Sequence, residues 1–127
     1  MAQIDKPSNV YTLGRLEEVE VEKQLDRADV FLFPSLTEGF SNALLEAMAR
    51  GLPIVATDVG AASDMVENCG GVIVPIHDIS AMQCALENME KPQVRERMSR
   101  WNINKVRDSY EYNHVLSVLF HMYEENV

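Results

Sequence analysis

The chain has 127 residues, of which 46% are hydrophobic and 24% charged, which is enough to bury one core but not two. Its net charge of −9 repels polyanions and makes nucleic acid and anionic membranes unfavourable partners, while a small anionic ligand stays compatible with a local site. No apolar run reaches the roughly eighteen residues of a membrane span, and the N-terminus has no signal-peptide core, so neither feature is expected.

Two kinds of element alternate along the chain. Short apolar runs predict strands, and apolar residues at helical spacing predict helices. The predicted strands are 10–13, 30–33, 54–56 and 72–74, and the predicted helices are 17–27, 41–50, 62–68 and 79–127. The last helical stretch is broken at Pro92 and weakened at 102–104.

Two of these elements carry strong local signals. The run 30–33 is continuously apolar and is closed by Pro34, which is typical of a strand buried on both faces. In the helix 41–50, Ser41 suits the N-cap and Gly51 suits the end. The candidate binding residues of the chain lie in the loop between these two elements and in the helix that follows it.

Strands and helices that alternate in this way predict a parallel sheet with crossover helices. The expected fold class is α/β, a Rossmann-like, doubly wound sheet with flanking helices and a helical C-terminus. Residues 1–127 are expected to form one domain, since no repeat or linker interrupts them. Cys69 and Cys84 form neither a disulfide framework nor a C-x-x-C pair, so the cytoplasm is the expected compartment.

The loop 34–42 after the second predicted strand is the candidate binding loop. Ligands of open parallel sheets bind beyond the carboxyl ends of the strands, where loops lead into helix N-termini. The first amides of the following helix, at 42–44, lack intrahelical acceptors and suit a phosphate. Gly39 would let the backbone approach such a ligand closely.

Two carboxylates bracket this site: Glu38 lies in the loop, just before the helix, and Glu46 lies in the helix, about 7.5 Å along its axis from Ser41. A carboxylate repels phosphate, so hydroxyl groups on either side of a diphosphate are better partners, and a nucleotide sugar supplies both sets. Structural roles are equally compatible with the spacing. Glu38 could form a turn or a capping-box-like arrangement with Ser35, and Glu46 could pair with Arg50 at i, i+4.

The segment 29–56, DVFLFPSLTEGFSNALLEAMARGLPIVA, closely resembles the family 4 retaining glycosyltransferases of the GT-B fold. It contains an E-x7-E pair, Glu38 and Glu46. The resemblance starts near Val10 and continues through 71–75 to a final helix ending near Tyr123. It implies a glycosyltransferase that uses a nucleotide-diphosphate sugar with retention, in polysaccharide or glycan biosynthesis.

The resemblance also assigns roles to residues of this chain. Glu38 would be the catalytic-site carboxylate that contacts hydroxyls of the donor sugar, and Glu46 would bind the ribose. The backbone amides that would hold the sugar and the diphosphate are those of Gly39, Phe40, Ser41, Asn42 and Ala43. The helix N-terminus would stabilise charge on the leaving diphosphate, so no metal and no cofactor are expected. Retention in this family is usually described as a front-face displacement, so Glu38 is not expected to be a covalent nucleophile.

The resemblance does not extend to the family's N-terminal acceptor domain or to the first strands of its donor domain. The chain is therefore expected to be the C-terminal portion of a GT-B donor-binding domain, and too short to catalyse transfer alone. An open sheet edge would need a partner chain or the missing domain to cover it. The alternative is a non-catalytic module that pairs with another chain, as a scaffold or as half of a split enzyme. An unrelated flavodoxin-like or receiver-type domain is a third interpretation. The donor sugar, the base and the acceptor are not identified by the sequence.

Overall fold

The computed structural model describes residues 7–36 and 41–110 of the chain. Three strands and five α-helices follow one another, and a short π-helical segment, Val106–Tyr110, ends the described part. In chain order they are α1 (Glu18–Arg27), β1 (Phe31–Phe33), α2 (Asn42–Ala49), β2 (Ile54–Thr57), α3 (Ala62–Val66), β3 (Gly71–Val74), α4 (Ile79–Asn88) and α5 (Pro92–Lys105).

The three strands form one parallel sheet in the order β1-β2-β3. Phe31 pairs with Ile54, and Ile54 in turn pairs with Gly71, so β2 lies in the middle. All four residues of β2 are buried. The structure confirms the α/β fold class and the parallel sheet.

Helices cover both faces of β2. Alternate strand residues point to opposite faces, and Ile54 belongs to one cluster of buried side chains while Val55 belongs to another. The first cluster draws on α2 and α3, for example through Met48 and Met65. The second draws on α4, for example through Ala85. The sheet is therefore wound on both sides, as the alternating pattern predicts.

Helix α2 begins and ends where the sequence predicts. The Ser41 hydroxyl oxygen accepts a hydrogen bond from the amide of Leu44 at 3.1 Å, which makes Ser41 the N-cap. At the other end Gly51 has φ of +78°, and its amide donates to the carbonyl oxygen of Met48. Glycine adopts this left-handed conformation without steric cost, so the helix stops there.

Three expectations about the other elements were wrong. Residues 10–13 do not form a strand: they pair with none of the described strands, and an unpaired run has no ladder to hold it extended. Strand β1 is not buried on both faces: Phe31 and Phe33 pack against the first cluster, but Leu32, on the opposite face, is 41% exposed. Residues 102–104 are not a weak point, since they lie within α5. Residues 111–127, expected to be helical, lie outside the described residues.

Asn102 explains why α5 continues through the predicted weak point. Its side chain is fully buried, and Nδ2 donates to the carbonyl oxygens of Leu52 and Gly70, both at 2.8 Å. These carbonyls lie just before β2 and β3, so one amide group holds α5 against the start of two strands. The contact needs glycine at 70, where a Cβ would lie 1.8 Å from the Asn102 Oδ1.

Replacing Asn102 with alanine is expected to lower the free energy of unfolding by roughly 2–4 kcal/mol, because one buried carbonyl loses its partner and a cavity opens. The check is a urea denaturation curve of the variant and the wild type. Asn104→Ala is the matched control, since Asn104 is exposed on the same helix and should change stability by less than about 0.5 kcal/mol. Equal effects at the two positions would contradict the role of Asn102 in holding α5 against the starts of β2 and β3.

Candidate functional site

The carboxyl ends of the three strands meet at one edge of the sheet. The strands are parallel neighbours, so Phe33, Thr57 and Val74 end them on the same side. The loop that leaves Phe33 leads to the N-terminus of α2, as the sequence predicts. Glu38, Gly39 and Phe40 fall in the gap 37–40, outside the described residues, and their roles stay predictions.

The N-terminus of α2 offers two backbone amides to this edge. The amide of Leu44 donates to Ser41 Oγ, and that of Leu45 donates to the Ser41 carbonyl oxygen. The amides of Asn42 and Ala43 precede the first intrahelical acceptor, and no acceptor for them lies within 7–36 or 41–110. Both residues are exposed. Of the three amides at 42–44 that were expected to be available to a ligand, two remain so, because the amide of Leu44 is hydrogen-bonded to the N-cap hydroxyl.

Ser41 itself is only 7% exposed. Its hydroxyl oxygen fixes the first turn of α2 and so orients the two amides that follow. The structure therefore shows a role for the Ser41 side chain, as the cap of α2. The expected contact of its backbone with a ligand stays a prediction.

Glu46 lies about one turn inside α2, with its side chain 40% exposed. Its Oε1 lies 3.8 Å from Nε of Arg50. This is the i, i+4 pair that the sequence allows as a structural alternative to ligand binding by Glu46. Arg50 also donates a hydrogen bond to Asp26, and its Nη2 lies 3.9 Å from Glu22 of α1. The hydrogen bond to Asp26 is the main reason that the pKa of Arg50 is raised above its ordinary value.

Thr57 belongs to this edge and was missed by sequence reasoning. It is only 3% exposed, and its hydroxyl lies within hydrogen-bond distance of the carbonyl oxygens of Phe33 and Ser35. It therefore ties the start of the candidate loop to the end of β2. The sequence feature that could have indicated Thr57 is a hydroxyl residue at the carboxyl end of an otherwise apolar strand.

The described ranges contain neither a candidate metal cluster nor a candidate membrane span. Within them, no three His, Cys, Asp or Glu side chains lie close enough together to hold a metal ion. None of the helices there combines the length and the apolar composition that a bilayer crossing needs. Cys69 and Cys84 are both free and exposed.

Comparison with known proteins places this arrangement in a family. The family model described as glycosyl transferases group 1 matches residues 1–91, which include β1, the candidate loop, α2 and β3. The chain belongs to this glycosyltransferase family. The glycosyltransferase resemblance of residues 29–56 is thereby confirmed at the level of the family.

Similar curated proteins act in polysaccharide and glycan assembly. The amylovoran biosynthesis glycosyltransferase AmsK of Erwinia amylovora is 37% identical over 68% of this chain and 23% of its own length. The UDP-Gal:alpha-D-GlcNAc-diphosphoundecaprenol alpha-1,3-galactosyltransferase of Escherichia coli is 30% identical over 72% of this chain and 24% of its own length. The chain therefore spans about a quarter of these relatives.

A solved structure supports the fold. Sucrose-phosphate synthase from Thermosynechococcus elongatus superposes with a TM-score of 0.76 over 89% of this chain and 29% of its own, at 23% identity. At that identity the likeness shows the fold alone. It agrees with the parallel α/β fold that the GT-B resemblance implied.

Replacing Ser41 with alanine is expected to lower the free energy of unfolding by about 1 kcal/mol, because the Leu44 amide loses its acceptor at the N-cap. Thermal or urea unfolding of the purified variant measures this. Ser63→Ala is the control, since Ser63 is exposed on α3. An unchanged stability in Ser41→Ala would show that the cap does not hold the helix start in place.

Proposed function

We propose that this glycosyltransferase chain carries the half of a donor site that binds the diphosphate and the ribose of a nucleotide-diphosphate sugar. The observation that supports the proposal best is the start of α2. There Asn42 and Ala43 are exposed residues at the carboxyl edge of the sheet whose amides have no acceptor among the described residues, and a half-exposed carboxylate, Glu46, lies about one turn behind them.

The diphosphate would bind to the two amides. The N-terminus of a helix carries about half a positive charge, and its uncommitted N–H groups point at an anion. When the bond to the anomeric carbon breaks, negative charge grows on the leaving diphosphate. Amides already oriented by the Ser41 cap would stabilise that charge without rearranging.

The ribose would bind to Glu46. The four-residue step from Asn42 to Glu46 is about 6 Å along the helix axis, so a carboxylate there meets the hydroxyls next to a phosphate rather than the phosphate itself. Its 40% exposure leaves it accessible to such donors. Glu38, with the amides of Gly39 and Phe40, is proposed to bind the sugar on the other side of the diphosphate.

The reaction proposed for the whole protein is transfer of the sugar to an acceptor with retention at the anomeric carbon. The Escherichia coli relative supports a nucleotide-diphosphate sugar as the donor class, since its name includes UDP-Gal. The relatives continue well beyond the region that this chain matches. We propose that acceptor binding belongs to that further part. We further propose that the process is polysaccharide or glycan assembly and that the compartment is the cytoplasm.

A second candidate is a non-catalytic module that pairs with another chain. Strand β1 is an edge strand with no neighbour on its outer side among the described strands, and Leu32 on it is 41% exposed. Tyr11 and Leu13, in the preceding segment, are 78% and 54% exposed. An uncovered edge of this kind is a surface for strand pairing.

Glu46→Ala is the variant that tests the donor site. It is expected to weaken binding of UDP, GDP or ADP, whichever the wild type prefers, by about 10- to 100-fold, because a charged acceptor of hydroxyl hydrogen bonds is lost. Titration calorimetry with the three nucleotides measures it. Glu96→Ala is the matched control, because Glu96 is an exposed glutamate paired with Arg100 at i, i+4.

Equal nucleotide affinity in the Glu46 and Glu96 variants would remove Glu46 from the site. Absence of binding by the folded wild type at millimolar nucleotide would contradict the donor site altogether. That outcome would leave the pairing module as the better interpretation.

A further inference from the structure

Arg50 lies at the C-cap of α2 and connects the candidate site with α1. Its guanidinium meets three carboxylates, those of Asp26 and Glu22 on α1 and that of Glu46 on α2. Its side chain is 26% exposed, the lowest exposed fraction among the four. Arg50 is not one of the proposed donor-binding residues.

The three contacts differ in closeness. Asp26 accepts a direct hydrogen bond from Nη1, while Glu22 and Glu46 lie at 3.9 and 3.8 Å, near the outer limit of an ion pair. Asp26 therefore fixes the guanidinium, and Glu46 is attracted to a group that is already held in place. A fixed cation limits the positions of a neighbouring carboxylate without occupying its acceptor capacity.

The helix geometry leaves the ligand side of Glu46 open. Long side chains on a helix lean towards its N-terminus, so Arg50 reaches back over the turn that carries Glu46, and Glu46 leans towards Asn42. Only Oε1 of Glu46 has a partner among the described residues. The second carboxylate oxygen is available to hydroxyl donors.

We propose that Arg50 is a positioning residue for Glu46, held by Asp26 so that the Glu46 carboxylate is preorganised to accept the hydroxyls of a nucleotide ribose. The inference rests on the donor site proposed above. Without Arg50, the carboxylate samples more rotamers, and ordering it upon binding costs more. Three carboxylates also lose their shared counter-charge, which places additional negative charge near an anionic ligand.

The proposal is tested by measuring the affinities of Arg50→Gln and Arg50→Lys for the nucleotide to which the wild type binds most tightly. We expect about a tenfold loss for glutamine and a smaller loss for lysine, which keeps the charge but not the planar fork that spans Asp26 and Glu46. Arg100→Gln is the control, because it removes the same charge from an exposed i, i+4 pair, at 2.9 Å from Glu96. It should leave the affinity unchanged.

The same substitution in a Glu46→Gln background separates positioning from general charge effects. If Arg50 acts through Glu46, Arg50→Gln costs less than about threefold there, since the carboxylate that it orients is gone. A full tenfold loss in that background would overturn the proposal in favour of a long-range charge effect. A gain in affinity from Arg50→Gln in the otherwise wild-type chain would also overturn it, since Arg50 would then hold Glu46 away from the ligand.

Failure of this inference and failure of the donor site give different results. Wild-type binding that Glu46→Ala weakens, with Arg50→Gln equal to Arg100→Gln, overturns the positioning role and keeps the donor site. Wild-type chain that binds none of the nucleotides overturns both, because Glu46 then has no hydroxyl ligand to be positioned for.

Discussion

Strand β2 is buried between two parallel neighbours, and its position decides where the helices and the candidate site lie. Ile54 and Val55 send their side chains to opposite faces and thereby require a helical layer on each side. Parallel pairing on both edges also places the three carboxyl ends together. The α2 N-terminus lies at that edge because the chain crosses from β1 to β2 through this helix.

The candidate site depends on the same arrangement for its electrostatics. A net charge of −9 opposes any anionic ligand at long range, so attraction has to come from groups within a few ångströms. Backbone amides at a helix start provide this without adding a lysine or arginine. Arg50 serves a different purpose, since it lies at the other end of α2 and neutralises carboxylates.

Local signals were enough to predict the part of the fold nearest the site. Helix α2 was placed within a residue at each end because its cap, Ser41, and its stop, Gly51, act within one turn of the chain. The edge position of β1 and the missing strand at 10–13 could not be predicted in this way. Strand burial depends on which neighbours pair, and that is decided by residues distant in sequence.

The site shows the same division. The spacing of Glu46 and Arg50 left their pair open as one alternative, but it did not indicate the hydrogen bond of Arg50 to Asp26 on α1, 24 positions away. Thr57 lies 22 positions from the Ser35 carbonyl that it contacts, so no local pattern identified it. The roles assigned to 38–40 came from the family resemblance and stay predictions.

Amide-proton NMR of the chain titrated with nucleoside diphosphates shows directly where the anion binds. The largest shifts are expected at the amides of Asn42 and Ala43, at the start of α2. Shifts centred instead on the groove at the opposite edge, which Asp29, Pro53 and Ser99 help to line, would contradict the proposed donor site.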